Sequence, residues 1–294
     1  MKRFLIRSLQ KIAGKLLTPT IYNMASNRQN QILLQLKYRE TAAQKIKLDF
    51  EDVGFNTYSI THEDGILLYI FSVIGMTNRK CVDIGAGSVR GSSVANLIIN
   101  HGFNGFLVDG DTKSIEHARE FYNTLEDTHL SSPTLISTLV NAENINDLIK
   151  DSKYDGELDL FCLDIDGMDY WVWKALDVIQ PRVVLLEYQD LLGPDRAWTV
   201  PYDQKFNADD YPVNKENKNY CGASLQAFIK LGREKGYRLV GCNNGGWNAF
   251  FIKNGVGEDI LPEVSAQSCF KFAWNQYGVE HRFPLVKDME WVEV

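Results

Sequence analysis

The chain is poor in the residues that build covalent or metal scaffolds. Its 294 residues include five cysteines, Cys81, Cys162, Cys221, Cys242 and Cys269, scattered singly. An odd number with no Cys-x-x-Cys pair argues against a disulfide framework and a zinc site, and fits a reducing, cytoplasmic setting. The five histidines, His62, His101, His117, His129 and His281, match no acid/base or metal motif. No apolar run reaches the roughly 18–20 residues that span a bilayer. Basic charge is in deficit, 31 Lys and Arg against 38 Asp and Glu, which argues against nucleic acid as the main partner. No repeat or low-complexity tract is present.

The missing basic charge is concentrated at one end. Residues 1–47 hold ten Lys or Arg and one acid, Glu40, leaving the rest of the chain at −16. Within residues 1–17, Leu5, Leu9, Ile12 and Leu16 share one helical face among five basic residues. That pattern predicts an amphipathic helix, packed on protein or lying on an anionic membrane as a peripheral contact. Charge interrupts the apolar stretch, so a secretory signal is not expected. Residues 1–60 are read as a helical extension, with Pro19 as a break.

From residue 61 to 255 short apolar runs alternate with helical patterns. Strands are expected at 80–85, 105–111, 134–142, 158–167, 182–188, 237–242 and 248–253. Helices are expected at 62–77, 91–101, up to 124, 144–151, 169–179 and 223–235. This alternation predicts an α/β fold with a mostly parallel sheet covered on both faces. The last two strands lie five residues apart, which demands a hairpin and hence an antiparallel strand. Residues 189–219 form a long polar connection, read as a lid or substrate insertion. Residues 256–294 carry Phe270, Phe272, Trp274 and Trp291, a tail expected to pack on the domain.

Ligands of such sheets bind beyond the carboxyl ends of the central strands. The first strand is followed by Asp83-Ile-Gly85-Ala-Gly87-Ser88-Val89-Arg90-Gly91-Ser92-Ser93. Glycines there let the backbone turn and approach a ligand, and Ser92 or Ser93 is placed to cap the next helix. The second strand ends in Asp109-Gly110-Asp111, where a carboxylate can accept both hydroxyls of a ribose; Asp111 also suits a helix cap. The third strand ends in Asn141 and Glu143, polar residues at the ligand-facing end, where Glu143 can also start the next helix.

The fourth strand ends in Asp164-Ile-Asp166-Gly167, two acids on one face if strand alternation holds. The fifth ends in Glu187. If the two strands are neighbours, three carboxylates converge, a set of hard oxygen ligands suited to Mg²⁺, Mn²⁺ or Ca²⁺.

These motifs resemble those of class I S-adenosylmethionine methyltransferases, whose sheet closes with the same hairpin. Gly85 and Gly87 match the Asp/Glu-x-Gly-x-Gly-x-Gly turn, while Val89 replaces the third glycine. The fourth-strand stretch is similar to the Asp-x-Glu-Gly pattern of FkbM-type O-methyltransferases, with Asp166 in place of Glu. The resemblance covers roughly residues 78–255. It implies a Rossmann-like fold of seven strands and S-adenosylmethionine as cofactor. Its cofactor set is Asp83, Gly85, Gly87, Ser88, Asp109, Gly110, Asp111, Asn141, Glu143 and Asp164. It further implies transfer to a hydroxyl of a glycan or glycosylated small molecule. Asp166 and Asp164 would carry the chemistry, with a divalent cation at Asp164 and Glu187. Tyr202, Tyr220 and Asn248 are candidate acceptor contacts; Trp198 and Tyr211 are further stacking candidates. Two rivals remain, a nicotinamide-dependent oxidoreductase and a non-catalytic binding protein. The hairpin and the glycine spacing disfavour the first.

Overall fold

The computed structural model describes residues 20–294. The amphipathic pattern of residues 1–17 and the break at Pro19 lie outside the described residues. Helix α1 (Thr20–Ala43) and a short α2 (Phe50–Val53) precede α3 (Glu63–Ile74). Then come β1 (Lys80–Ile84), α4 (Ala95–His101), β2 (Asn104–Asp109), α5 (Thr112–Thr124), β3 (Thr134–Ser137) and α6 (Ile145–Asp151). The chain continues through β4 (Gly156–Leu163), α7 (Asp169–Ala175), β5 (Ile179–Glu187), β6 (Trp198–Thr199), α8 (Leu225–Glu234), β7 (Tyr237–Cys242) and β8 (Asn248–Lys253). It ends with α9 (Ala273–Tyr277) and β9 (Val292–Glu293).

The main sheet has the order β3-β2-β1-β4-β5-β8-β7. β8 lies antiparallel between β5 and β7, and the pairs among β1 to β5 are parallel. This is the mostly parallel sheet with one antiparallel strand expected of the class I methyltransferase fold. Reversal of order at β1 and β4 opens the crevice where such sheets bind ligands.

Strand alternation divides the core between the two faces. Val82, Ile84, Leu158, Phe161, Val184 and Leu186 point into one cluster with α6, α7 and α8. Cys81, Leu160, Cys162, Val183 and Leu185 point into the other with α3, α4 and α5. All five cysteines are buried free thiols. Helix α3 is buried along most of its length, as its continuous apolar run requires. At the amino end of the sheet the buried Asp159 carboxylate accepts the amides of Thr77, Asn78 and Arg79 and pairs with Arg182. That network fixes the entry to β1.

Two segments depart from expectation. β3 stops at Ser137 rather than 142, and β4 stops at Leu163 rather than 167. In both, residues beyond the strand line the pocket described below, the apolar Leu139, Val140 and Ile165 alongside Asn141, Asp164 and Asp166. The tail packs on the domain through aromatic contacts, Trp291 against Tyr220 and Trp198, Phe270 against Tyr188, Trp274 against Trp247. β9 pairs with β6 in a small second sheet. Among the described residues no helix is long and apolar enough to cross a membrane.

Candidate active site

The glycine turn is set by close backbone packing. Gly85 has φ +83°, and its amide and that of Ala86 both donate to the Val108 carbonyl. A Cβ at Gly85 would lie 1.5 Å from the Asp164 carbonyl oxygen, so no side chain fits between β1 and β4. Gly87, at φ +55°, donates its amide to Asp109 Oδ2 at 2.7 Å. Val89 replaces the third family glycine, and the left-handed conformation falls instead on Gly91, φ +104°, whose amide bonds to Tyr58. Ser92 Oγ then accepts the amides of Val94 and Ala95 and starts α4.

Beyond these strand ends lies a cavity of about 800 Å³. Its wall includes Gly85, Gly87, Asp109, Gly110, Asp111 and Asn141 on one side, and Asp164 and Asp166 on the other. Gln204, Phe206, Asn207, Asp209 and Lys218 of the 189–219 connection complete the lining. The polar insertion thus roofs the pocket. The hydroxyl of Tyr202 donates to the Glu143 carboxylate, tying the roof to the loop after β3.

Asp109 uses both oxygens locally, Oδ1 accepting the Asp111 amide at 2.7 Å and Oδ2 that of Gly87. Each oxygen keeps a further lone pair for a ligand hydroxyl. Asp111 lines the cavity and also caps α5, accepting the amides of Lys113 and Ser114. These bonds, led by that from the Ser114 hydroxyl, hold its carboxyl below the usual range. Asn141 lines the cavity while its Oδ1 accepts the amides of Glu143 and Asn144.

Asp164, Asp166 and Glu187 present carboxylate oxygens within 4.8 Å of one another. β4 and β5 are neighbours, as the convergence required, but strand alternation is not what joins Asp164 to Asp166. The strand ends before both, and Asp166 sits in the left-handed region at φ +53°. For a non-glycine residue that backbone is strained by roughly 1–3 kcal/mol, a cost concentrated at functional sites.

Burial, then the charges of Asp169 and Asp166, raise the pKa of Asp164. Burial and the charges of Asp164, Asp166 and Asp169 raise Glu187 well above its ordinary value. Both carboxyls also border cavities open to water, which tempers the shift. Asp164 and Glu187 bring like charges within 4.8 Å of one another, a repulsion that favours the protonated form of one of them. Asp166 is raised mainly by burial, offset by Lys218. Asp83 is buried behind this cluster, with Ser92, Ser93, Asp164 and Glu187 around a small cavity of about 50 Å³. Burial and the Asp164 and Asp109 charges push it up to about 7.

Several expected residues stand elsewhere. Ser88 donates its hydroxyl to the Arg90 carbonyl on the exposed outside of the turn. Glu143 is held by Tyr202 at the rim, which occupies both in a contact within the chain. Tyr220 is corrected from an acceptor contact to a core residue, because it is 4% exposed and its hydroxyl is bonded to the Glu290 carbonyl. Asn248 pairs with Glu187 across β5 and β8, and its side chain donates to Glu63 at 2.9 Å. Trp198 stacks on Trp291 and Tyr211 on Phe206, so their rings are occupied within the protein.

Several pocket residues escaped the sequence reading, Leu139 among them. Leu139 is 79% exposed and packs beside Gly110 on the cavity wall. With Val140 and Ile165 it gives the acidic pocket an apolar surface for a flat ring. Its signal was an apolar pair continuing a strand pattern past the strand's end.

No protein-family profile and no curated protein matches the chain. Solved structures similar to it include the methyltransferase domain of bacterial CtHen1-C, at 14% identity over 66% of this chain and 97% of that one, TM-score 0.43. Another is the O-methyltransferase from Bacillus cereus in complex with SAH, at 14% identity over 83% and 96%, TM-score 0.41. A third is magnesium protoporphyrin IX methyltransferase (ChlM) from Synechocystis PCC 6803 with bound SAM, at 11% identity over 76% and 97%, TM-score 0.36. These likenesses are weak, and the sheet order and pocket geometry are independent of them.

Proposed function

We propose that the protein is an S-adenosylmethionine-dependent O-methyltransferase, of FkbM-like type, acting on a hydroxyl of a glycan or glycosylated small molecule. The observation that carries this reading is a single cavity lined by Asp109, Leu139, Asp164 and Asp166, with the Glu187 carboxyl close to the last two. Asp109 would accept the ribose hydroxyls, and Leu139, Val140 and Ile165 would flank the adenine. A volume of about 800 Å³ accommodates a nucleoside-sized cofactor together with part of an acceptor.

S-adenosylmethionine, when bound, supplies a methyl group on a sulfonium for in-line attack. Asp166 would receive the acceptor's hydroxyl proton as the oxygen–methyl bond forms and the sulfur–methyl bond breaks. Its raised pKa matches that task. The pocket walls would supply proximity, holding the oxygen in line with the methyl. Gln204, Asn207, Asp209 and Lys218 present polar groups and Phe206 an aromatic ring to the same cavity, a mixture suited to a polyhydroxyl acceptor.

The Asp164 and Glu187 oxygens also fit a divalent cation, being hard donors close enough to share one ion. A cation there would lower the pKa of the acceptor hydroxyl. Formation of S-adenosylhomocysteine from labelled cofactor, across a panel of sugars, sugar nucleotides and oligosaccharides, tests the reading. Turnover with one acceptor class supports it, and loss of turnover in EDTA supports the cation. Cofactor binding with no transfer to any hydroxyl acceptor would turn the reading toward a binding protein.

A further inference from the structure

The left-handed backbone of Asp166 has a specific cause. Asp169, first residue of α7, is 3% exposed and carries no cationic partner among its hydrogen bonds. Its Oδ1 accepts the amide of Ile165 at 2.8 Å, and its Oδ2 accepts the amide of Gly167 at 3.0 Å. These are the two amides flanking Asp166. The Gly167 carbonyl is held in turn by the Gly222 amide at 2.9 Å, where the roof segment rejoins the domain. The turn is therefore gripped on both sides of Asp166, while the Asp166 side chain remains free to face the cavity.

A buried carboxylate without a counter-ion is costly, and an acid at the start of a helix ordinarily accepts the unpaired amides of its own first turn. Asp169 instead reaches backward, to amides outside its helix. We propose that Asp169 is a positioning residue. It fixes the backbone of Asp166 and so brings that carboxyl to Asp164 and Glu187. This rests on the methyltransferase reading for its consequence in turnover, but not for the grip itself. Asp169 does not face the reacting atoms. It acts through Asp166.

The test compares Asp169→Ala and Asp169→Asn with the wild-type protein. Asparagine keeps one acceptor oxygen and loses the other, so it should show the same effects at intermediate size and serve as the folded comparison should alanine lower the yield of folded protein. Amide hydrogen exchange at Ile165 and Gly167 should accelerate about 100-fold in the alanine variant, with exchange across Leu160–Leu163 of β4 unchanged. Methyl transfer per folded molecule should fall about 100-fold, with the KM for S-adenosylmethionine within about threefold of wild type. Unchanged exchange at both amides would overturn the proposal. So would a variant whose melting temperature falls while turnover per folded molecule holds. A wild-type protein that binds no S-adenosylmethionine would remove the functional reading, and the exchange experiment would still decide whether Asp169 holds the turn.

Discussion

The Gly87 amide donates to Asp109 Oδ2 at 2.7 Å, joining the glycine turn after β1 to the acid that ends β2. The same carboxylate accepts the Asp111 amide through its other oxygen. Asp109 therefore organises the loop that would cradle the cofactor and presents its remaining lone pairs to the cavity. Asp109→Ala should cost both roles and weaken S-adenosylmethionine binding at least about tenfold. Asp109→Asn keeps an acceptor for only one amide and should fall between. Unchanged affinity in the alanine variant, measured by calorimetry, would remove the ribose assignment.

Gly85 is constrained by contact rather than by ligand. The Asp164 carbonyl fills the space of any side chain, and φ is +83°. Gly85→Ala should destabilise the fold by more than about 3 kcal/mol, because clash and left-handed strain add. Chemical denaturation would read this without any cofactor. A loss below 1 kcal/mol would mean that β1 and β4 can separate.

Asp166→Asn tests the proton acceptor. Asparagine tolerates the left-handed backbone and removes the basic oxygen. Turnover should drop at least about 100-fold, with S-adenosylmethionine affinity nearly unchanged. Full activity would move the base to another group of the cluster.

The pH dependence of stability should carry a signature from His101. Burial, then Arg28 and Arg79, lowers its pKa from 6.5 to about 4, and its Nε2 lies 2.7 Å from Gln31 Oε1. The unfolded chain binds a proton that the folded chain refuses between those values. Stability should therefore decline as pH falls from above 6.5 toward 4. His101→Gln should flatten that part of the profile in thermal melts at closely spaced pH values. An unaltered slope would show that other groups set it.

Arg282 anchors the tail. Its guanidinium pairs with the buried Asp190 at 3.0 Å and donates to Asn219, in a site where both side chains are almost fully enclosed. Arg282→Met leaves the buried Asp190 carboxyl without its cation, and should cost about 3–5 kcal/mol. The paired variant Arg282→Met with Asp190→Leu should recover much of that loss. Equal stability of the single and double variants would contradict the account.

The sheet was legible because its strands are short apolar runs between turn residues, and the five-residue gap before Asn248 forced a hairpin. Asp109 and the carboxyl trio were legible from their places at strand ends. Leu139 was not, because an apolar residue facing a cavity looks like one facing a core. The left-handed turn at Asp166 was hidden because strand alternation offered another route to the same convergence. The Asp190–Arg282 pair joins residues far apart in sequence, a contact that no local pattern encodes. Tyr220 read as a pocket aromatic until its burial against Trp291 placed it in the core.

The most direct test of the central claim is calorimetric titration of the purified protein with S-adenosylmethionine, with NAD⁺ as control and Asp109→Ala alongside. The structure-based account predicts micromolar binding of S-adenosylmethionine, none of NAD⁺, and at least about tenfold weaker binding in the variant. Binding of NAD⁺ instead, or of neither ligand, would contradict it.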